Sequence, residues 1–181
     1  MFKGIIIFLI IIGLIMFMVG GSTETIVVAS SERPHLIGIA DTDQTLNTIN
    51  VFQAIDFNFL LGDAHEFMPQ DNNCIIVMQG GHYFATFEGH FADTSPAPNG
   101  NIGMRISLNG AEVSGSYSEE DTTNQNADIT FTTFAYIEAL TNDVICLEWT
   151  ADDIDVKLMS NNTHATQPVV AKGFINWVHA D

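Results

Sequence analysis

Basic residues are scarce: five Lys and Arg stand against 22 Asp and Glu in 181 residues, which leaves a net charge of −17. A surface so poor in cations cannot displace counterions from phosphates, and this excludes nucleic acid as a partner. Cysteine is nearly absent. Cys74 and Cys146 are too few for a disulfide framework and lack the Cys-x-x-Cys spacing of zinc and redox sites. They form one bridge at most, and a small buried thiol is the plainer expectation, because both lie in or beside stretches that read as strands. Also missing are a Gly-x-Ser-x-Gly elbow, a phosphate-binding loop, a dinucleotide glycine fingerprint and a His-Glu-x-x-His helix. The common hydrolase, nucleotide-dependent and zinc-protease classes go with them. The 46% apolar content still marks a folding chain, of a length that suits one domain with a short appendage.

What is present is first a long apolar run. Between Lys3 and Glu24 lie 20 uncharged residues, and residues 5–12 and 14–19 are almost wholly aliphatic or aromatic. At about 1.5 Å per residue they make roughly 30 Å of helix, the thickness of a bilayer core. The segment 1–23 therefore reads as an uncleaved anchor helix, with Ile5, Phe8, Ile12, Leu14 and Phe17 among the lipid-facing residues. A cleaved signal is the alternative, since Val19-Gly20-Gly21 and Val27-Val28-Ala29 offer the small residues that a signal peptidase takes. A helix buried in an assembly and a prepilin-like leader ending at Lys3-Gly4 are further options. Leu9 stands where a pilin would carry glutamate. Lys3 is the one basic residue beside the run and places the N-terminus on the cytoplasmic side, with the rest facing outward. Residues 30–181 hold 21 of the acids and four of the bases, so the charge belongs to the distal part. Residues 24–45 are rich in Ser, Thr and Asp, lack a period of 2 or 3.6, and read as a stalk.

From residue 46 to 181 short segments alternate with period 2 between turn residues, the pattern of an all-β sandwich. In residues 83–91, Tyr83, Ala85, Phe87, Gly89 and Phe91 share one face, and Phe84, Thr86, Glu88 and His90 the other. In residues 102–108, Ile102, Met104, Ile106 and Leu108 point one way, before Asn109-Gly110 supplies a hairpin turn and a return through Val113, Gly115 and Tyr117. Further strands are expected over 49–57, 74–78, 129–137, 144–149, 154–159 and 169–178.

Gly81-His82-Tyr83 opening a long strand that ends at Phe91 resembles the Gly-x-Tyr strand of the tumour necrosis factor-like and complement globular-head jelly rolls. The likeness continues through Ile55-Asp56-Phe57, through residues 106–110 ending in Asn-Gly, through residues 140–144 and through Gly173-Phe174-Ile175. Asn142 stands where that family has Gly, and Asn also enters the left-handed region. Ala171 stands where an aromatic commonly precedes the Gly-Phe pair. The resemblance implies a ten-stranded jelly roll that assembles as a homotrimer through an apolar inner sheet. On that implication Tyr83, Phe87, Phe91, Phe174 and Trp177 are assigned to the trimer interface.

Chemistry is sparse. His82, Glu88 and His90 share a strand face, but Glu-Gly-His is not the His-x-His of metal-binding cupins, and polar residues on a sheet surface are the expectation. Asp41/Asp43, Glu119/Glu120/Asp121 and Asp152/Asp153/Asp155 have the oxygens for a structural calcium, without the spacing of a calcium loop. Solvated acidic loops are the simpler reading. Asn161-Asn162-Thr163 fits the glycosylation pattern. No catalytic, cofactor or metal residues are assigned. The sequence thus points to a non-enzymatic, membrane-anchored trimeric head with lipid and other virion or surface proteins as partners. A spike, decoration or attachment protein on the virion of a prokaryotic virus comes first, and a cellular surface protein or appendage subunit second.

Overall fold

Burial alternates strictly along the longest strands, and that alternation sets the architecture. The computed structural model describes residues 35–62, 67–71, 73–125, 128–159 and 169–179. Among them are fourteen strand segments and no helix. They are β1 (His35–Ala40), β2 (Gln44–Thr45), β3 (Gln53–Ala54), β4 (Phe59–Gly62), β5 (Phe67–Gln70), β6 (Cys74–Val77) and β7 (Gly81–Asp93). There follow β8 (Asn101–Leu108), β9 (Ala111–Glu112), β10 (Ser118–Asp121), β11 (Ile129–Ala139), β12 (Val144–Ala151), β13 (Val156–Leu158) and β14 (Ala171–His179). One antiparallel sheet runs β4–β1–β14–β7, with β11 also on β7, and reaches β2 through β13. The other runs β10–β8–β12–β6–β5, with β9 on β8 and β3 on β12. Arg33–Asp181 forms one compact unit, an all-β jelly-roll sandwich.

The core lies between the sheets. Tyr83, Ala85, Phe87 and Phe91 of β7 face Ile102, Met104 and Ile106 of β8 and Ile145, Leu147 and Trp149 of β12, all buried. Phe91 lies 5.5 Å from Trp149 between ring centroids and Phe67 5.8 Å from Tyr83. Each such side chain contributes about 1.5–3 kcal/mol by leaving water. Gly38 and Gly173, paired across β1 and β14, thin the first sheet so that the Phe57 ring can enter. A Cβ on Gly38 would stand 2.8 Å from that ring. Asp93 is buried at the end of β7, where its carboxylate accepts the Ser95 N–H and the Thr122 hydroxyl, each at 2.8 Å. The Asn109-Gly110 turn has both residues at positive φ, 53° and 81°, as the hairpin requires. Asn142 adopts a φ of 75°, the left-handed conformation for which Gly is otherwise used.

Four expectations are corrected. Residues 35–40, read as stalk, form β1 between β14 and β4 inside the first sheet. The expected strand over 49–57 is mostly irregular, with only the two-residue β3. The return strand after Asn109-Gly110 is broken: β9 ends at Glu112, Gly115 turns at a φ of 83°, and pairing to β8 resumes only in β10. Cys74 and Cys146 are not free thiols. They face each other across β6 and β12 and are joined by a disulfide, their Cα atoms 4.4 Å apart. The anchor segment with Ile5, Phe8, Ile12, Leu14 and Phe17, and the acceptor pattern at 161–163, lie outside the described residues.

Candidate functional site: the outward face of the first sheet

Tyr83, Phe87 and Phe91, assigned to an interface on the strength of the resemblance, are fully buried and aim into the sandwich. The assignment fails for these three because they fill the layer between the two sheets and have no surface left for a partner. Period 2 then puts the other face of β7 outside, and the neighbouring strands continue that face in register. Ile37 of β1, Phe174 of β14, Thr86 of β7 and Phe134 of β11 form one cross-strand row. His35, Asn176, Phe84 and Tyr136 form the next. Ile39, Lys172, Glu88 and Thr132 form a third, on the other side of the first.

The centre of this face is an aromatic array. His35 stacks on Phe174 with centroids 6.3 Å apart, Phe84 meets Phe134 at 6.2 Å, and His82 stacks on Tyr136 at 5.4 Å. Phe134, Tyr136 and Phe84 remain 62%, 55% and 39% exposed, and Leu140 beyond β11 is also exposed. Thr86 and Asn176 lie between these rings in the two rows, so the exposed aromatics form a cluster with polar residues among them. Phe174 belongs to the array. Trp177 is half-buried against the core near Tyr83.

One end of the face is polar. His90 Nε2 lies 3.4 Å from Glu88 Oε1, and its Nδ1 lies 2.9 Å from the Thr130 hydroxyl and 3.9 Å from Asp128 Oδ1. Lys172 reaches Glu88 at 3.4 Å. His82, by contrast, is eight residues from His90 along one strand, roughly 26 Å away, beside the Tyr136 ring. His82, Glu88 and His90 therefore do not converge. Among the described residues no three His, Cys, Asp or Glu side chains gather as a metal site would require.

The outward face of the second sheet carries a mixed polar and aromatic cluster, with Met68 and Tyr117 exposed. Arg105 Nε donates to Glu148 at 2.6 Å, and its guanidinium lies 4.0 Å above the Phe52 ring. Phe52 meets Tyr117 edge-on at 6.3 Å, and the Tyr117 hydroxyl donates to Glu119. That hydrogen bond pushes the Tyr117 hydroxyl up to about 12, with burial and the charges of Glu119 and Glu112 adding to it. It also holds Glu119 below the usual carboxylate range, as does the amide of Asn101. Asn101, at the start of β8, ties acidic residues of β10 and of the loop after β12 together. Asn101 Nδ2 donates to Glu119 and Asp121 at 2.8 and 3.0 Å, and its backbone N–H to Asp152 at 2.7 Å.

No family model and no curated protein matches the chain. Solved structures do. The globular domain of zebrafish complement 1qA protein is 10% identical with a TM-score of 0.51, covering 82% of this chain and all of that one (100%). Eiger TNF from S. frugiperda is 13% identical with a TM-score of 0.52, covering 82% of this chain and 93% of that one. At such identities the likeness carries the fold alone: the head has the same jelly-roll architecture as these two structures.

Proposed function

We propose that this chain is a non-catalytic, homotrimeric head tethered to a membrane by residues 4–23, and that it serves on the virion of a membrane-containing prokaryotic virus as a spike, decoration or attachment element. The observation that carries the trimer is the outward aromatic face, with Phe84, Phe134 and Tyr136 left in water by a lone sandwich. A second and third copy laid against that face would cover it, with Phe174 in the same contact. An exterior setting is supported by the Cys74–Cys146 disulfide, since such bridges persist in oxidising compartments, and by an acidic surface that keeps a crowded assembly soluble. The 20-residue apolar run supports the tether. The absence of nucleophile, phosphate-loop and zinc motifs from the sequence supports a structural or binding role.

The test is where the protein is found and in what form. On this reading the chain co-purifies with lipid-containing particles, leaves them only with detergent, and has an intact mass that starts at or beside Met1. Recovery from cell envelopes but not from particles would make it instead a cellular surface protein or appendage subunit. A mature chain starting near Ser22 or Ser30 would replace the tether with a secreted head.

A further inference from the structure

The described histidines, His35, His82, His90 and His179, all lie on β1, β7 and β14 of the first sheet. The side chains of the first three belong to its outward face, two stacked on aromatic rings and one at the polar end. Imidazole is the side chain that changes charge between pH 5 and 8. Three of the described histidines thus lie on the surface through which copies are proposed to meet. We propose that mild acid tightens this assembly, and that His90 is the principal proton-binding residue. The inference rests on the trimer proposed above.

The sign follows from charge. Each chain carries −17. Bringing like-charged protomers together raises the negative potential at the contact, so assembly takes up protons, and a lower pH then favours the assembled state. Burial in a contact works the other way, because desolvation opposes a charged imidazole. The local partners decide between the two effects. His90 is 20% exposed and has Glu88 on its own strand at 3.4 Å and Asp128, just before β11, at 3.9 Å. From β14, Lys172 reaches Glu88, and Lys157 of β13 stands opposite Ala92, two residues along β7 from His90. On the remaining sides are the Thr130 hydroxyl and the backbones of Met159 and Val170, hydrogen-bonded to the His90 backbone at 2.9 Å each. Glu88, shared between His90 and Lys172, and Asp128 carry two negative charges against the one positive charge of Lys172, and the negative charge left over compensates an imidazolium there even when water is displaced. His82 has Glu138 across the strand pair, so its charged form also has an acidic neighbour.

The full-length chain in a non-ionic detergent, followed by sedimentation velocity over a concentration series at pH 8.0 and pH 6.0 and constant ionic strength, tests this. The trimer dissociation concentration should be at least tenfold lower at pH 6.0. His90→Gln should shrink that shift to less than threefold while leaving the circular dichroism spectrum unchanged. Asp128→Asn, which keeps the histidine, should shrink it partly and serves if His90→Gln does not fold. Equal affinity at the two pH values, or weaker assembly at pH 6.0, overturns the proposal. A full shift retained in His90→Gln overturns the assignment to His90. A monomer at both pH values overturns the trimer itself and is told apart from a trimer that ignores pH.

Discussion

Phe134 sits on β11 with 62% of its surface in water, while Ala135 and Thr133 on either side are buried. Taking a phenylalanine as roughly 200 Å², about 120 Å² remains to be covered by a partner. At about 25 cal/mol per Å² this is worth about 3 kcal/mol per protomer. Ordering the side chain in the contact costs about 1 kcal/mol of that. Phe134→Ala should therefore weaken assembly by about 2 kcal/mol per protomer, roughly 30-fold in the dissociation constant of each contact. The folded protomer should lose less than about 1 kcal/mol, chiefly the contact of Phe134 with Phe84 at 6.2 Å. Phe87→Ala is the contrast. That ring is wholly buried, so its removal leaves a cavity and should cost about 3–5 kcal/mol of folding stability. Sedimentation equilibrium reads the first quantity, and urea unfolding below the dissociation concentration reads the second. An unchanged dissociation constant for Phe134→Ala, or lost protomer stability with assembly intact, would refute the placement of the contact on this face.

Three further outcomes are expected. The Tyr117 hydroxyl is raised from 10.0 to about 12, so the folded head keeps between those values a proton that the unfolded chain has released; its stabilisation is whole below pH 10 and is lost as pH rises through about 12, and Tyr117→Phe should flatten that slope in urea melts. Reducing the Cys74–Cys146 bridge, which spans 72 residues, should lower stability by about 4 kcal/mol in the loop-entropy picture, measured as the denaturation midpoint with and without reductant. Chelation by EDTA at constant ionic strength should leave the melting temperature unchanged, because Glu119, Asp121 and Asp152 are already hydrogen-bonded to Asn101; a drop of several degrees would mean that they bind calcium.

The sandwich was legible wherever one face of a strand is apolar and the other polar. The strand over 102–108 and its Asn109-Gly110 turn, the strand over 129–137 and the strand over 144–149 all lie inside observed elements or turns. β1 was not legible. Its buried set is Leu36, Gly38 and Ala40 and its outward set includes Ile37 and Ile39, so the larger side chains face outward and no period of 2 is visible. The outward face of β7 is hidden in the sequence for a related reason. Tyr83, Phe87 and Phe91 on one side and Phe84 on the other are all aromatic, and hydropathy along one strand cannot rank them. The signal lay in β11, whose Thr130, Thr132 and Glu138 mark the exposed side that also carries Phe134 and Tyr136. Reading it requires the register of β11 on β7, which pairs Tyr136 with Phe84 and is a tertiary fact. The disulfide is of the same kind: residues 72 apart in sequence become opposite only once β6 lies beside β12.

The central claim, that the aromatic face of the first sheet joins three copies of the chain, is tested most directly by native mass spectrometry of the intact protein released from detergent at micromolar concentration. One dominant species made of three 19.8 kDa chains is expected, converted to single chains by Phe134→Glu. A wild-type protein that is folded and monomeric under the same conditions would contradict it.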